Sequence, residues 1–189
     1  MPKVGMEPIR RAALVEATIA EIGAAGSLDV TVTQIAKRAG MSSALAHHYF
    51  GGKDQIFVAA MRHILTEYSA EVRAALAQAQ NPADRARAII RASFAQSCFA
   101  PATVSAWMTF YAQAQTNPDA LHLLRIYQRR LRSNLRSALR PLCDDPQAAA
   151  DMLAAQIDGL YIRAALTAPD ANPEGQAFAL LSTLTKGAA

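Results

Sequence analysis

Apolar residues recur every three or four positions along most of this chain, which is the pattern of helices with one buried face. The first such stretch predicts a helix from about Glu7 to Ala24. Its core-facing side is predicted to contain Ala12, Val15, Ile19 and Ile22. Gly26 follows as a residue that readily ends a helix, because glycine tolerates the left-handed conformation found there.

Later in the chain, a residue that can cap a helix stands directly before proline at four places. Proline suits the first position of a helix, since its missing N–H would be unpaired there in any case. The four pairs are Asn81-Pro82, Asn117-Pro118, Asp145-Pro146 and Asn172-Pro173. Together with Pro101, they predict helices at about 82–98, 101–115, 118–142, 146–168 and 173–186.

Two short helices lie between the first helix and a longer one predicted from Lys53 to about Gln80. Thr31 and Gln34 have the spacing of a capping box, in which each side chain bonds to the other residue's backbone N–H. Gly40 ends this helix, and Ser42 can cap the next, which runs from Ser43 to about Phe50. The total is about nine helices with no convincing strand, so the predicted fold class is all-α.

Two short helices joined by a tight, glycine-containing turn are typical of a helix-turn-helix, here over about residues 31–50. Ala36 is predicted to lie where the helices cross, and Leu45 and Tyr49 are predicted to pack the second helix onto its support. The side chains predicted to face a DNA major groove are Ser43, Ala44 and His47. Those predicted to contact phosphates are Thr31, Thr33, Ser42, His48, Tyr49 and Lys53, with added charge from Lys3, Arg10 and Arg11.

Composition and charge agree with a DNA-binding protein without requiring one. The 189 residues carry a formal net charge of +4, and the two cysteines, Cys98 and Cys143, fit no metal-binding spacing. We expect reduced thiols, no signal peptide, no membrane span, no cofactor and a cytoplasmic location. Because no nucleophile–base pair, metal cluster or nucleotide-binding loop is evident, we do not expect an enzyme.

The segment TVTQIAKRAGMSSALAHHYFGGK, residues 31–53, resembles the DNA-binding head of the TetR family, and the likeness covers about residues 7–68. It implies that Tyr49 and Lys53 contact phosphates and that Ser43, Ala44 and His47 contact bases. The remaining residues, 69–189, would then form a helical domain for ligand binding and dimerisation.

Runs further along the chain are similar to the BetI type of TetR repressors, which control glycine-betaine synthesis genes and respond to choline. These runs are MPKVGMEPIRR at the start, SAWMTFYA at 105–112, RRLRSNL at 129–135 and IDGLYIRAAL at 157–166. The resemblance implies a repressor of choline uptake and oxidation genes that choline releases from operator DNA. The alternative is a TetR-type sensor of another cationic or aromatic molecule, such as a multidrug sensor; a DNA binder without a ligand is a further possibility.

Choline has a quaternary ammonium, which proteins hold against aromatic faces, sometimes beside a carboxylate. The candidate ligand residues are therefore Phe99, Trp107, Tyr111, Tyr127 and Asp158. Ordinary core packing explains Trp107 and Tyr111 equally well, and a structural or interface carboxylate is the favoured explanation of Asp158.

The last two predicted helices are apolar on more than one side, which favours a homodimer through them. The residues that indicate this are Leu153, Ile157, Leu160, Ala164, Phe178, Leu181 and Leu184. A stripe of arginines on the helix at 118–142 is interpreted as a solvated face that pairs partly with acids. Its members are Arg125, Arg129, Arg132, Arg136 and Arg140.

Overall fold

The computed structural model describes residues 5–27, 29–167 and 172–185. Within these ranges the chain forms nine α-helices and no strand, so the predicted all-α class is confirmed. The helices are α1 Met6–Ala25, α2 Val32–Arg38, α3 Ser43–Phe50, α4 Lys53–Gln78, α5 Pro82–Ser93, α6 Pro101–Gln113, α7 Pro118–Leu139, α8 Pro146–Leu166 and α9 Pro173–Thr185. One 3₁₀ turn, Gln96–Phe99, lies between α5 and α6 and is called the connecting turn below.

The predicted caps explain where these helices begin. The Thr31 hydroxyl accepts a hydrogen bond from the Gln34 N–H at 3.1 Å, and the Gln34 side chain accepts from the Thr31 N–H at 2.7 Å, which completes the capping box. Ser42 caps α3 in the same way, through the N–H of Leu45. The side chains of all four residues that precede proline accept from a backbone N–H two or three residues later; they are Asn81, Asn117, Asp145 and Asn172.

Two helices, α5 and α7, end three or more residues earlier than predicted. The helix predicted at 82–98 stops at Ser93, where the N–H of Phe94 donates to the Arg91 carbonyl and tightens the last turn toward 3₁₀ geometry. The helix predicted at 118–142 stops at Leu139. Pro141 accounts for this second end, because proline has no N–H to donate and disfavours helical backbone in the residue before it.

The buried face of α1 differs in part from the predicted one. Val15 and Ile22 are buried as predicted, but Ala12 is exposed and Ile19 only half-buried. Leu14 and Thr18 are buried instead, with the Thr18 hydroxyl donating to the Leu14 carbonyl at 2.7 Å. The buried side of α1 therefore includes Leu14, Thr18 and Ile22, which are spaced four residues apart. Position 12 does not belong to this series.

The described residues form two compact units. The first unit contains the described residues up to Thr66 together with Ala100–Leu124, and the second contains Glu67–Phe99 and the described residues from Arg125 onward. The predicted division into residues 7–68 and 69–189 stays a prediction, since it concerns functional domains rather than compactness. None of the described helices is both long and apolar enough to cross a membrane.

Several residues that indicated a dimer interface are already buried within the single chain, which corrects the reason for that prediction. Leu153, Ile157, Leu160 and Leu181 have at most 9% of their surface exposed. They form the core of the second unit, where α8 packs against α9. The apolar residues that remain exposed on α8 are different ones, described below.

The arginines of α7 lie on an exposed face, as interpreted. Arg132 lies 3.7 Å from Asp151 of α8, and Arg136 donates to the Gln147 side chain at 3.1 Å. Both pairs are solvent-exposed and contribute little stability.

Candidate functional site

The crossing of α2 and α3 is built on two alanines. Ala36 of α2 and Ala46 of α3 are buried, with 1% and 0% of their surface exposed. Gly40 adopts a φ of +67° in the turn between the helices, and the Met41 N–H donates to the Ala36 carbonyl at 2.8 Å. Small side chains at the crossing and a left-handed glycine in the turn allow the two helices to approach closely.

Ala46 is a packing residue that the sequence reasoning missed. That reasoning assigned the packing of α3 to Leu45 and Tyr49, but both are half-buried and only Ala46 of α3 is fully buried. Its place one turn from Ser42 was visible in the sequence, although a lone alanine gives little signal of burial. The predicted base-contacting side chains are accessible: Ala44 and His47 are exposed, and Ser43 is half-buried.

The imidazole of His47 has a defined hydrogen-bond partner. Its Nδ1 lies 2.9 Å from the Gly51 carbonyl oxygen, which can only accept, so Nδ1 carries the proton. In the neutral ring Nε2 is then an acceptor. In that tautomer the exposed Nε2 can accept a hydrogen bond.

The predicted phosphate-contacting residues lie in two environments. The Thr31 hydroxyl is committed to its cap, because it also donates to the Gln34 side chain at 2.8 Å. Ser42 only accepts in its cap, so its O–H proton is available for a phosphate. Thr33 and His48 are exposed, and Lys53 is half-buried at the first position of α4.

Two arginines of α1 support the end of α3, an arrangement that sequence reasoning missed. Arg10 donates to the Tyr49 hydroxyl at 3.4 Å, and the Arg11 guanidinium lies over the rings of Tyr49 and Phe50 at 5.4 and 5.1 Å. Because the Tyr49 oxygen accepts from Arg10, its own O–H proton remains able to donate to a phosphate. Lys3, predicted to add charge here, lies outside the described residues.

In the second unit, a carboxylate lies among aromatic rings. Tyr127 of α7 donates its hydroxyl to Asp158 of α8 at 2.8 Å, and the Tyr68 ring of α4 meets the Tyr127 ring edge-on at 6.0 Å. Burial raises the pKa of Asp158 above its ordinary value, and the Tyr127 hydrogen bond opposes that rise. We call Tyr68, Tyr127 and Asp158 the tyrosine–aspartate cluster.

Tyr68 is the member of this cluster that sequence reasoning missed. Its hydroxyl lies 2.9 Å from the Ser93 hydroxyl, which itself donates to the Ile89 carbonyl at 2.9 Å. Burial raises the pKa of Tyr68 far above its ordinary value, so the phenol stays neutral.

Phe99 belongs to the same unit but contacts another ring. It lies 5.3 Å from the ring of Tyr161 on α8, and the Tyr161 hydroxyl donates to the Cys98 carbonyl at 2.8 Å. Burial is also the main reason that the pKa of the Cys98 thiol is raised to about 11.

Trp107 and Tyr111 belong to the first unit. Their rings lie 5.7 Å apart on α6, and Trp107 also meets the ring of Phe110, which in turn approaches Phe57 of α4. Trp107 is thus part of the aromatic packing of the first unit. Its predicted role in ligand binding, with that of Tyr111, stays a prediction.

The capped helix pair, with accessible side chains on α3 and hydroxyl donors around its start, defines a helix-turn-helix DNA-binding regulator. The chain matches the family described as "Bacterial regulatory proteins, tetR family" over residues 14–60, and the family described as "BetI-type transcriptional repressor, C-terminal" over residues 82–187. It is 52% identical to the HTH-type transcriptional regulator BetI of Brucella anthropi, over 96% of this chain and 94% of that one.

Solved structures share the fold. A transcriptional regulator from Pseudomonas aeruginosa superposes with a TM-score of 0.84 at 25% identity, over 96% of this chain and 92% of that one. A regulator from Saccharomonospora viridis, solved in complex with choline, gives 0.74 at 20% identity over 91% and 93%. The chain belongs to the BetI-type transcriptional repressors of the TetR family. It is a DNA-binding transcriptional regulator and not an enzyme, as the sequence predicted.

Proposed function

We propose that this protein is a homodimeric repressor of choline uptake and glycine-betaine synthesis genes, and that choline releases it from its operator. Membership of the BetI-type repressors supports the target genes. The structural support comes from three places, namely the surface of α3, the outer face of α8 and the tyrosine–aspartate cluster.

For the operator, each subunit would insert α3 into a major groove. Ser43, Ala44 and His47 are the proposed base contacts, with His47 accepting from an adenine or cytosine amino group. Thr33, Ser42, His48, Tyr49 and Lys53 are the proposed phosphate contacts; Thr31 would act chiefly through its cap. A two-fold dimer requires an approximately palindromic operator with half-sites one or more helical turns apart.

For the dimer, the outer face of α8 supplies an exposed apolar row. Met152 and Leu166 are exposed by 54% and 58%, more than any other large apolar residue of the described second unit. Between them the row continues at alternating three- and four-residue steps through Ala155, Gly159 and Ile162. This is the spacing of a helix–helix seam, and small residues at its middle let two helices approach closely.

For the ligand, the tyrosine–aspartate cluster provides what a quaternary ammonium needs. Asp158 supplies a negative charge, and Tyr68 and Tyr127 supply the electron-rich faces of their rings. The observation that carries the choice of choline is this partly buried carboxylate. Tyr127 orients it, and no described basic side chain pairs with it. A compact cation would compensate the charge that burial makes costly.

The test is a band-shift of the purified protein on its own upstream DNA, with and without choline at fixed salt, because phosphate contacts make affinity salt-dependent. Specific binding that choline reverses is the expected result. Binding that ignores choline but yields to bulky aromatic cations would replace choline by the multidrug-sensor alternative. Choline titration of Trp107→Ala tests the first-unit candidates separately, since unchanged affinity removes Trp107 from the ligand site.

A further inference from the structure

We propose that Tyr161 couples the ligand site to the DNA-binding head by holding the connecting turn Gln96–Phe99, and that it does so without being a ligand contact itself. The inference rests on the proposed function, because it concerns how ligand binding is transmitted to operator release. Three features of the structure support it: the contacts of the connecting turn, the position of Tyr161 on α8 and the packing of α6.

The connecting turn is fixed by side chains from two helices. From α8, the Tyr161 hydroxyl donates to the Cys98 carbonyl at 2.8 Å, and the Tyr161 ring packs against Phe99 at 5.3 Å. From α4, Glu71 accepts from the Ser97 hydroxyl at 2.9 Å. Tyr161 is buried, with 7% of its surface exposed, whereas Ser97 and Glu71 meet in an exposed position. The Tyr161 bond is therefore the better shielded of the two attachments.

Tyr161 follows Asp158 by three residues, so the two lie on the same side of α8 one turn apart. Asp158 is the charged residue of the proposed ligand site. A cation bound there would attract its carboxylate and shift this turn of the helix. The hydroxyl of Tyr161 would move with the helix, and the Cys98 carbonyl that it holds would be displaced or released.

The other end of the turn leads directly into α6. Phe99 is the last residue of this part of the second unit, and Ala100 starts the part that belongs to the first. Pro101 is the first residue of α6, and Ala102 lies against Gly23 of α1. A Cβ added at Gly23 would be only 2.5 Å from the Ala102 Cβ, so these helices are in contact without spare space.

A close-packed contact transmits displacement because the side chains cannot absorb it. If the start of α6 moves with the connecting turn, α1 must follow or the contact must break. Arg10 and Arg11 of α1 contact Tyr49 and Phe50 at the end of α3. A movement of α1 would therefore also displace α3. Tyr161 is thus a positioning residue in a chain of contacts that starts one turn from Asp158.

The first experiment compares Tyr161→Phe with the parent protein. Calorimetry measures choline affinity, and operator affinity with and without saturating choline measures the coupling between the two sites. We expect choline affinity and choline-free operator affinity to change by less than about threefold, while the choline-induced loss of operator affinity shrinks by about tenfold or more. Thr167→Val is the matched control: it removes another hydroxyl-to-carbonyl bond of α8, to Arg163, and should leave all three values unchanged.

Two results of that experiment would overturn the proposal. Undiminished release of Tyr161→Phe by choline would show that the hydroxyl bond transmits nothing. A drop in choline affinity that fully explains the lost release would make Tyr161 a ligand contact instead.

A second experiment does not depend on choline. In a Cys143→Ser background, Cys98 is the only thiol, and its reaction rate with a disulfide reagent at fixed pH reports opening of the connecting turn. We expect Tyr161→Phe to raise this rate by about tenfold or more. An unchanged rate would refute the proposal that Tyr161 holds the connecting turn, even if choline releases the parent protein normally. Conversely, failure of choline to release the parent protein would refute the proposed function. The thiol reaction rates would still show whether Tyr161 holds the connecting turn.

Discussion

In the proposed ligand site, Asp158 would serve function at the expense of stability. Burial raises its folded-state pKa above the unfolded value, so the stability that it contributes is present at low pH and is lost as the pH rises through the folded-state pKa. At neutral pH, which lies above the unfolded-state pKa, this group therefore lowers the free energy of unfolding. A cation bound at the proposed site would reverse this cost.

Replacing Asp158 by Asn should separate the two effects. Without the negative charge we expect choline affinity to fall by about tenfold or more, while the melting temperature of the ligand-free protein at pH 7 rises. Calorimetry and thermal unfolding measure the two quantities. Asp151→Asn on the same helix is the control, because Asp151 pairs with exposed Arg132 and should affect neither strongly. Full choline affinity in Asp158→Asn would remove Asp158 from the ligand site.

The same residue predicts a pH dependence for ligand binding. The charge of choline is permanent, so only the protein titrates, and its affinity should fall as the pH is lowered through the raised pKa of Asp158. Burial raises the pKa of Tyr68 still further above neutrality, so this phenol should not contribute. Choline titrations at neutral pH and at successively lower pH would measure the decline, and Asp158→Asn should give a flat profile. A decline that persists in this variant would assign it to another group.

Lys53 tests the predicted phosphate contacts. Lys53→Ala should weaken binding to operator and to unrelated DNA alike, and should reduce the slope of log affinity against log salt by about 1. Band-shifts over a range of salt concentrations measure both effects. Arg62→Ala removes an exposed charge about 13 Å further along α4 and should leave the slope unchanged. An unchanged slope in Lys53→Ala would exclude a phosphate contact at this position.

At the level of the element, the structure of the helix-turn-helix depends on the close crossing of α2 and α3. Ala36 and Ala46 bury almost their whole surface there, and the left-handed Gly40 turns the chain between the two helices. The position of α3 is therefore set by small side chains rather than by a large apolar anchor. Any increase in volume at the crossing changes the direction in which Ser43, Ala44 and His47 are presented.

Ala36→Leu tests this packing. The larger side chain has no space at a position that is 1% exposed, so we expect a loss of about 1–3 kcal/mol in the free energy of unfolding and a loss of operator binding. Urea unfolding and band-shifts measure the two. Ala12→Leu makes the same change on an exposed position of α1 and should leave both close to the parent values. Equal stability of the two variants would mean that the crossing has room to expand.

For the whole molecule, two units with separate cores must act together on one operator. The exposed apolar row on α8, from Met152 to Leu166, belongs to the second unit, and α3 belongs to the first. A dimer that forms through α8 would therefore bring two copies of α3 to one operator. Operator affinity should depend on dimerisation even though no α8 residue is a proposed DNA contact.

Met152→Glu combined with Leu166→Glu tests this dependence. Two charges facing their equivalents across a two-fold interface should shift the protein toward monomers and weaken operator binding by about a hundredfold, because each half-site is then bound singly. Sedimentation velocity and band-shifts measure the two effects. Asn134→Glu adds a charge to an exposed position of α7 and should leave the dimer intact. A stable dimer of the double variant would place the interface elsewhere.

The local features of this fold and of its DNA-binding site could be predicted because they depend on residues close together in the chain. The Thr31–Gln34 capping box, the Ser42 cap, the residues before four prolines and the Gly40 turn all lie within a few residues of what they determine. Helix starts were therefore predicted well, whereas the ends of α5 and α7 were placed too late. The end of α5 is marked only by a last turn that tightens toward 3₁₀ geometry after Ser93. The end of α7 is marked by Pro141, two residues beyond Leu139.

By itself, the sequence determined the all-α class and the helix-turn-helix, since periodicity, caps and motif spacing are local properties of the chain. The BetI-type family came from the resemblance of whole sequence runs to known repressors. Only the tertiary structure decided which aromatic rings meet, because contacts such as that of Tyr161 with Cys98 join residues 63 positions apart. It assigned Trp107 and Tyr111 to one unit and Phe99, Tyr127 and Asp158 to the other. It also decided which apolar residues of α8 are buried. Helical periodicity shows that a face is apolar, but whether the same chain covers that face depends on how the helices pack.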